Sequence, residues 1–180
     1  PDVIGVVSPY FRGVRSATKE MVPDMIEISN IYSRPVAKRL AAKVISYSPK
    51  KVLISGYAVG HDLLAEELKK AYPNVRIFLL VHSAFIWFDL YPAENAIFEN
   101  FINMAKKGII EKVGFCKRDL AEYFNGQGLN TFFVMNRFYP EKHKAHKINK
   151  KNVSIGIFGQ NWWHRNITNQ VIGALMLPNT

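Results

Sequence analysis

Six times along this chain an apolar, β-branched run gives way to a glycine or polar turn and then to a stretch of helical character. That alternation constrains the fold more than any other feature. Parallel strands need long crossover connections, helices usually supply them, and the helices then cover the sheet. The expectation is an α/β fold, a parallel sheet with helices on both faces. Ligands on such sheets bind just beyond the carboxyl ends of the strands. The segments to search for chemistry are therefore the strand exits at 8–15, 56–62, 82–85, 116–119, 136–138 and 159–166.

The pattern predicts strands over 3–7, 25–28, 51–55, 75–81, 109–115, 131–135 and 153–158. Helices are expected over 17–21, 34–47, 61–71, 95–107, 118–124 and 166–177. The spacing predicts an amphipathic helix over 34–47, where Val36, Leu40, Val44 and Tyr47 recur at helical spacing while Lys38, Arg39 and Lys43 face elsewhere. Gly108 reads as a helix stop.

At 180 residues and 48% hydrophobic content, the chain can bury one substantial core, or one domain and part of another. No apolar run reaches the roughly 18 residues of a membrane span. The opening Pro1-Asp2 carries no signal-peptide pattern and no initiating Met, so a cut or processed chain is expected. Cys116 is the single cysteine, which excludes an intramolecular disulfide and fits a reducing compartment. Net charge is +10, and five lysines (Lys142, Lys144, Lys147, Lys150 and Lys151) crowd a short stretch against Glu141 alone. A basic surface attracts phosphate as a nucleotide-sugar, a nucleic acid or an anionic lipid, and charge does not choose among them.

Gly13 stands between Arg12 and Arg15 in the first strand-to-helix connection. A glycine there lets backbone amides approach an anionic or sugar ligand, and an ordinary tight turn would need it equally. The connection is not G-x-G-x-x-G. His82 ends the strand 75–81 and precedes Ser83; it is a candidate general base or hydroxyl partner, or a simple strand cap. His61-Asp62 holds the other strand-exit histidine, and Asp62 reads most simply as favourable charge in a first helical turn. Histidines, cysteine and acids show no metal-ligand spacing, and the lysines around His143 and His146 would repel a cation. Cys116 is expected to be a buried thiol. Trp162-Trp163-His164-Arg165 could stack on a base or sugar and pair with phosphate, or serve as a hydrophobic contact.

Taken in order, these motifs resemble glycosyltransferases of the GT-B fold, in particular the retaining group related to glycogen synthase and bacterial sugar transferases. The likeness rests on Leu80-Val81-His82-Ser83, on KVGFCKRDLAEYF (112–124), on Phe133-Val134-Met135-Asn136, and on Ile155-Gly156-Ile157-Phe158-Gly159 followed by Arg165-Asn166. It spans most of the chain in short motifs. Gln160, rather than a basic residue, directly follows Gly159.

The resemblance implies a Rossmann-like acceptor-side domain over 1–140, a basic linker over 141–152, and over 153–180 the first strand–helix unit of a second domain. The last unit could instead complete the first sheet. His82 would contact the transferred sugar, and Arg12, Gly13, Tyr57, Ser83 and Asn136 would line the substrate site. Gly159 and Arg165 would hold the donor diphosphate. A nucleotide-sugar would be the donor substrate, with no metal required, and a glycan or lipid-linked molecule the acceptor. The family's acidic donor-binding residues fall beyond position 180, which implies a fragment. The expected setting is the cytoplasm, with the basic stretch against an anionic membrane if the acceptor is lipid-linked. The competing readings are a non-catalytic module for nucleic acid or membrane, which lacks an RNA-binding motif, and a nucleotide-sugar epimerase, which lacks a dinucleotide fingerprint.

Overall fold

The structure, a computed structural model, describes residues 1–83 and 91–135. The chain groups into two units, Pro1–Phe138 and Tyr139–Thr180, and every described residue belongs to the first. The expected linker over 141–152 and the unit over 153–180 lie outside the described residues.

Eleven elements alternate through the described residues: β1 (Val3–Val7), α1 (Arg12–Met21), β2 (Met25–Glu27), α2 (Arg34–Ile45), β3 (Lys51–Ser55), α3 (His61–Ala71), β4 (Arg76–Val81), α4 (Pro92–Lys106), β5 (Lys112–Phe115), α5 (Arg118–Gly126) and β6 (Thr131–Phe133). The strands form one sheet in the order β2-β1-β3-β4-β5-β6. Every neighbouring pair is parallel. The protein is thus an α/β, Rossmann-like fold. After β2 the chain crosses over β1 to β3, and the order reverses between β1 and β3, the switch point at which such sheets open a crevice.

Strand side chains alternate between the two faces. One set (Val52, Ile54, Ile77, Leu79, Val81, Val113 and Phe115) packs into the core with Ala37, Ala41 and Val44 of α2, Leu64 and Leu68 of α3, Phe98 and Phe101 of α4, and Leu120 and Ala121 of α5. The other set faces α1: Gly5 lies against Thr18, and Ser55 is hydrogen-bonded to Thr18. Right-handed crossovers produce this division, since only the β1-to-β2 connection runs in the opposite direction along the sheet.

Two boundaries differ from the sequence reading in ways that matter. Helix α1 begins at Arg12, five residues before the expected 17–21, so Gly13 sits inside its first turn. Strand β5 begins at Lys112 rather than at 109. Residues Gly108 and Ile109 instead close α4: Gly108, at φ +73°, donates its N–H to the Ala105 carbonyl (3.0 Å), and Ile109 donates to Met104 (2.9 Å). This left-handed cap consumes the two isoleucines that read as strand.

Candidate functional site

Because the strands are parallel, their exits share one rim. The register pairs Ser55 of β3 with Leu80 of β4, and Val81 of β4 with Phe115 of β5. One residue further, Cys116 donates its backbone N–H to the Val81 carbonyl (3.0 Å), which sets it beside His82. Alternation places Ser55, Leu80 and His82 on the face that carries α1.

A row of side chains follows from that placement. Thr18 Oγ1 donates to the Val14 carbonyl at 2.7 Å. It also lies 2.7 Å from Ser55 Oγ. Ser55 Oγ is 3.0 Å from His82 Nε2, and His82 Nδ1 is 3.4 Å from Cys116 Sγ. Thr18 and Ser55 are fully buried, while His82 and Cys116 are half-buried at the rim. Burial pushes the His82 imidazole down to about 4 and the Cys116 thiol up to about 11, Lys117 offsetting the latter in part. Both groups are therefore neutral at pH 7, so the pair is an imidazole beside a thiol and not an ion pair.

His61 does something else. It is fully buried and donates Nε2–H to the Ile28 carbonyl at 3.0 Å, tying the start of α3 to the end of β2. Desolvation lowers its pKa, which its backbone hydrogen bonds oppose. Gly60 just before it has φ +78°, and a Cβ there would collide with the Ile31 carbonyl oxygen. Ile31 in turn donates its N–H to the Val59 carbonyl at 2.8 Å. Asp62 stands in the first turn of α3, as its reading as helix charge requires, and accepts from Asn100 Nδ2 at 2.8 Å.

The sequence candidates separate accordingly. His82 is on the rim at the end of β4, with Ser83 half-buried behind it. Arg12 is exposed at the first position of α1, whose first turn holds no acid, and it forms no ion pair among the described residues. Gly13 is helical, in the first turn of α1, which replaces the reading as a tight turn, and a Cβ there would meet no protein atom within 4 Å. Tyr57 is turned into the core, its ring centroid 5.5 Å from that of Phe101 and 6.4 Å from that of Phe98. Burial, with Glu94 adding to it, raises its phenol pKa, and its hydroxyl has no hydrogen-bond partner among the described residues. Asn136, Gly159 and Arg165 lie outside the described residues, as do His143, His146 and the Trp162-Trp163 pair.

Ser55 and Thr18 were not among the sequence candidates. Ser55 left a faint trace as the polar end of an otherwise apolar run; Thr18 left none. Among the described residues, no three His, Cys, Asp or Glu side chains are grouped to hold a metal ion, and no helix is long and apolar enough to cross a membrane. The chain matches no protein-family model, no curated protein and no solved structure.

Proposed function

We propose that the chain is the acceptor-side part of a glycosyltransferase, moving a sugar from a nucleotide-sugar to a glycan or lipid-linked acceptor. The observation that carries this reading is His82: a neutral imidazole on the rim of a parallel sheet, at the strand exit where a ligand would lie. A neutral ring can exchange hydrogen bonds with sugar hydroxyls without the charge that would hold a phosphate there instead. Its role is to orient the sugar while the bond from the anomeric carbon to the diphosphate breaks and a bond to an acceptor hydroxyl forms.

Positive charge supports the same reading. Arg12 opens the first turn of α1, where backbone N–H groups have no partner within the helix, so an anionic part of a substrate would be drawn to that side of the rim. The diphosphate itself is assigned to Gly159 and Arg165 by the resemblance described above. In this reading Tyr57 supports the β3–α3 connection from within and does not bind substrate directly.

The test is transfer from nucleotide-sugars by the full-length protein, with histidine NMR in parallel. A panel of UDP- and GDP-sugars should include one that shifts the His82 ring signals. His82→Ala should lower turnover with that donor by about 10²-fold or more, the range for loss of a positioned polar group. A panel that leaves His82 unmoved and yields no transfer would sink the reading.

A further inference from the structure

The row of side chains behind His82 has a direction, and hydrogen counting fixes it. A backbone carbonyl only accepts, so the Thr18 hydroxyl spends its one hydrogen on Val14, 2.7 Å away. Thr18 Oγ1 then meets Ser55 Oγ, at 2.7 Å, as an acceptor, and Ser55 is the donor of that pair. With its hydrogen committed, Ser55 Oγ accepts from His82 Nε2 at 3.0 Å. The imidazole hydrogen is therefore on Nε2, and Nδ1 carries a bare lone pair facing the Cys116 thiol at 3.4 Å.

We infer that Ser55 and Thr18 are positioning residues that lock His82 as the Nε2–H tautomer, so that the group it takes from a ligand is a neutral O–H donor. This rests on the sugar-transfer reading for the ligand and on geometry alone for the tautomer. A hydroxyl gives Nδ1 a hydrogen, whereas an ionised carboxylate or the doubly esterified phosphates of a nucleotide-sugar have none to give and meet the lone pair head-on. The Cys116 thiol, a weak donor, occupies that acceptor until a stronger one displaces it. The sugar end of a nucleotide-sugar thus belongs at His82, with the diphosphate elsewhere.

Histidine ¹⁵N NMR of the unliganded full-length chain at pH 7 decides the tautomer without any substrate. Wild type should show His82 protonated on Nε2 alone. Thr18→Val leaves the Ser55 hydrogen without its acceptor and free to turn to Nε2, so the two tautomers should mix; Thr18→Ser should restore the wild-type pattern. Ser55→Ala should also weaken the bias, and Thr18→Val stands as the second variant should that one unfold. A wild-type His82 protonated on Nδ1, or a Thr18→Val spectrum identical to wild type, would overturn the lock. For the ligand, methyl glycosides of glucose, galactose and mannose are titrated against dimethyl phosphate, a phosphate diester with no O–H. A shift of Nδ1 with a glycoside and none with the diester is expected; a shift with the diester, or with neither, overturns the ligand assignment while the tautomer result stands. The donor panel above separately decides the sugar-transfer reading.

Discussion

His82 holds its proton less readily in the folded chain, where its pKa is about 4, than in an unfolded chain, where it is near 6.5. The unfolded state therefore binds more protons between those values, and stability falls as pH drops from 6.5 towards 4. A shift of that size corresponds to at most about 3 kcal/mol. Urea melts across that range should show the loss, and His82→Gln should flatten it to what His61 contributes, since burial lowers that residue too. Glu94, raised by burial, acts in the opposite sense. Gly60 is the other exacting position. Gly60→Ala adds left-handed strain to a collision with Ile31 and should destabilise by more than about 2 kcal/mol, measurable in the same melts. His82 was legible in the sequence because a polar residue ending an apolar run announces a strand exit. Its partners were not, because Ser55 and His82 are 27 positions apart and Thr18 and Ser55 are 37 apart. No local pattern encodes a meeting of that range.

Among the elements, α4 joins the core to the rim through its aromatic side chains. Phe101 is fully buried beside Tyr57, and Phe98 meets Phe124 of α5 edge-on, with ring centroids 5.5 Å apart. Phe101→Ala should cost about 3–5 kcal/mol by urea denaturation, the range for an emptied aromatic site. Arg76→Ala should leave the midpoint nearly where it was. Its bidentate pair with Glu111 is at the surface, where water and side-chain freedom offset the attraction. Helix α3 was read to its bounds, whereas α2 ends at Ile45 and buries Ala37, Ala41 and Val44, leaving Tyr47 of the expected stripe past its end and exposed. The start of α1 escaped because its cap residue is Phe11, with no side-chain hydrogen bond, and its first turn holds no acid. Every customary start signal is missing there, and Gly13 looks like a turn. The β5 boundary moved for a complementary reason: two isoleucines serve a helix cap as readily as a strand.

At the scale of the fold, the alternation of strands and helices was enough to specify a parallel sheet, and all five strand pairings among the described residues are parallel. It could not specify the order β2-β1-β3-β4-β5-β6. That order depends on which strand each crossover docks beside, a choice made by packing between distant segments. Net charge acts at this scale as well. With +10 on the chain, capture of an anionic sugar donor should be accelerated by long-range attraction. Stopped-flow association rates with the donor identified by the panel should fall steeply between 20 and 300 mM salt, while His82→Ala should leave that dependence intact. The row of hydroxyls also ends in a different element from the one where it begins. Its last acceptor is a carbonyl in the first turn of α1, so the basicity of the imidazole is tied to how that turn is held. Substitutions at Phe11 or Arg12, the cap and first residue of that helix, should therefore displace its titration midpoint.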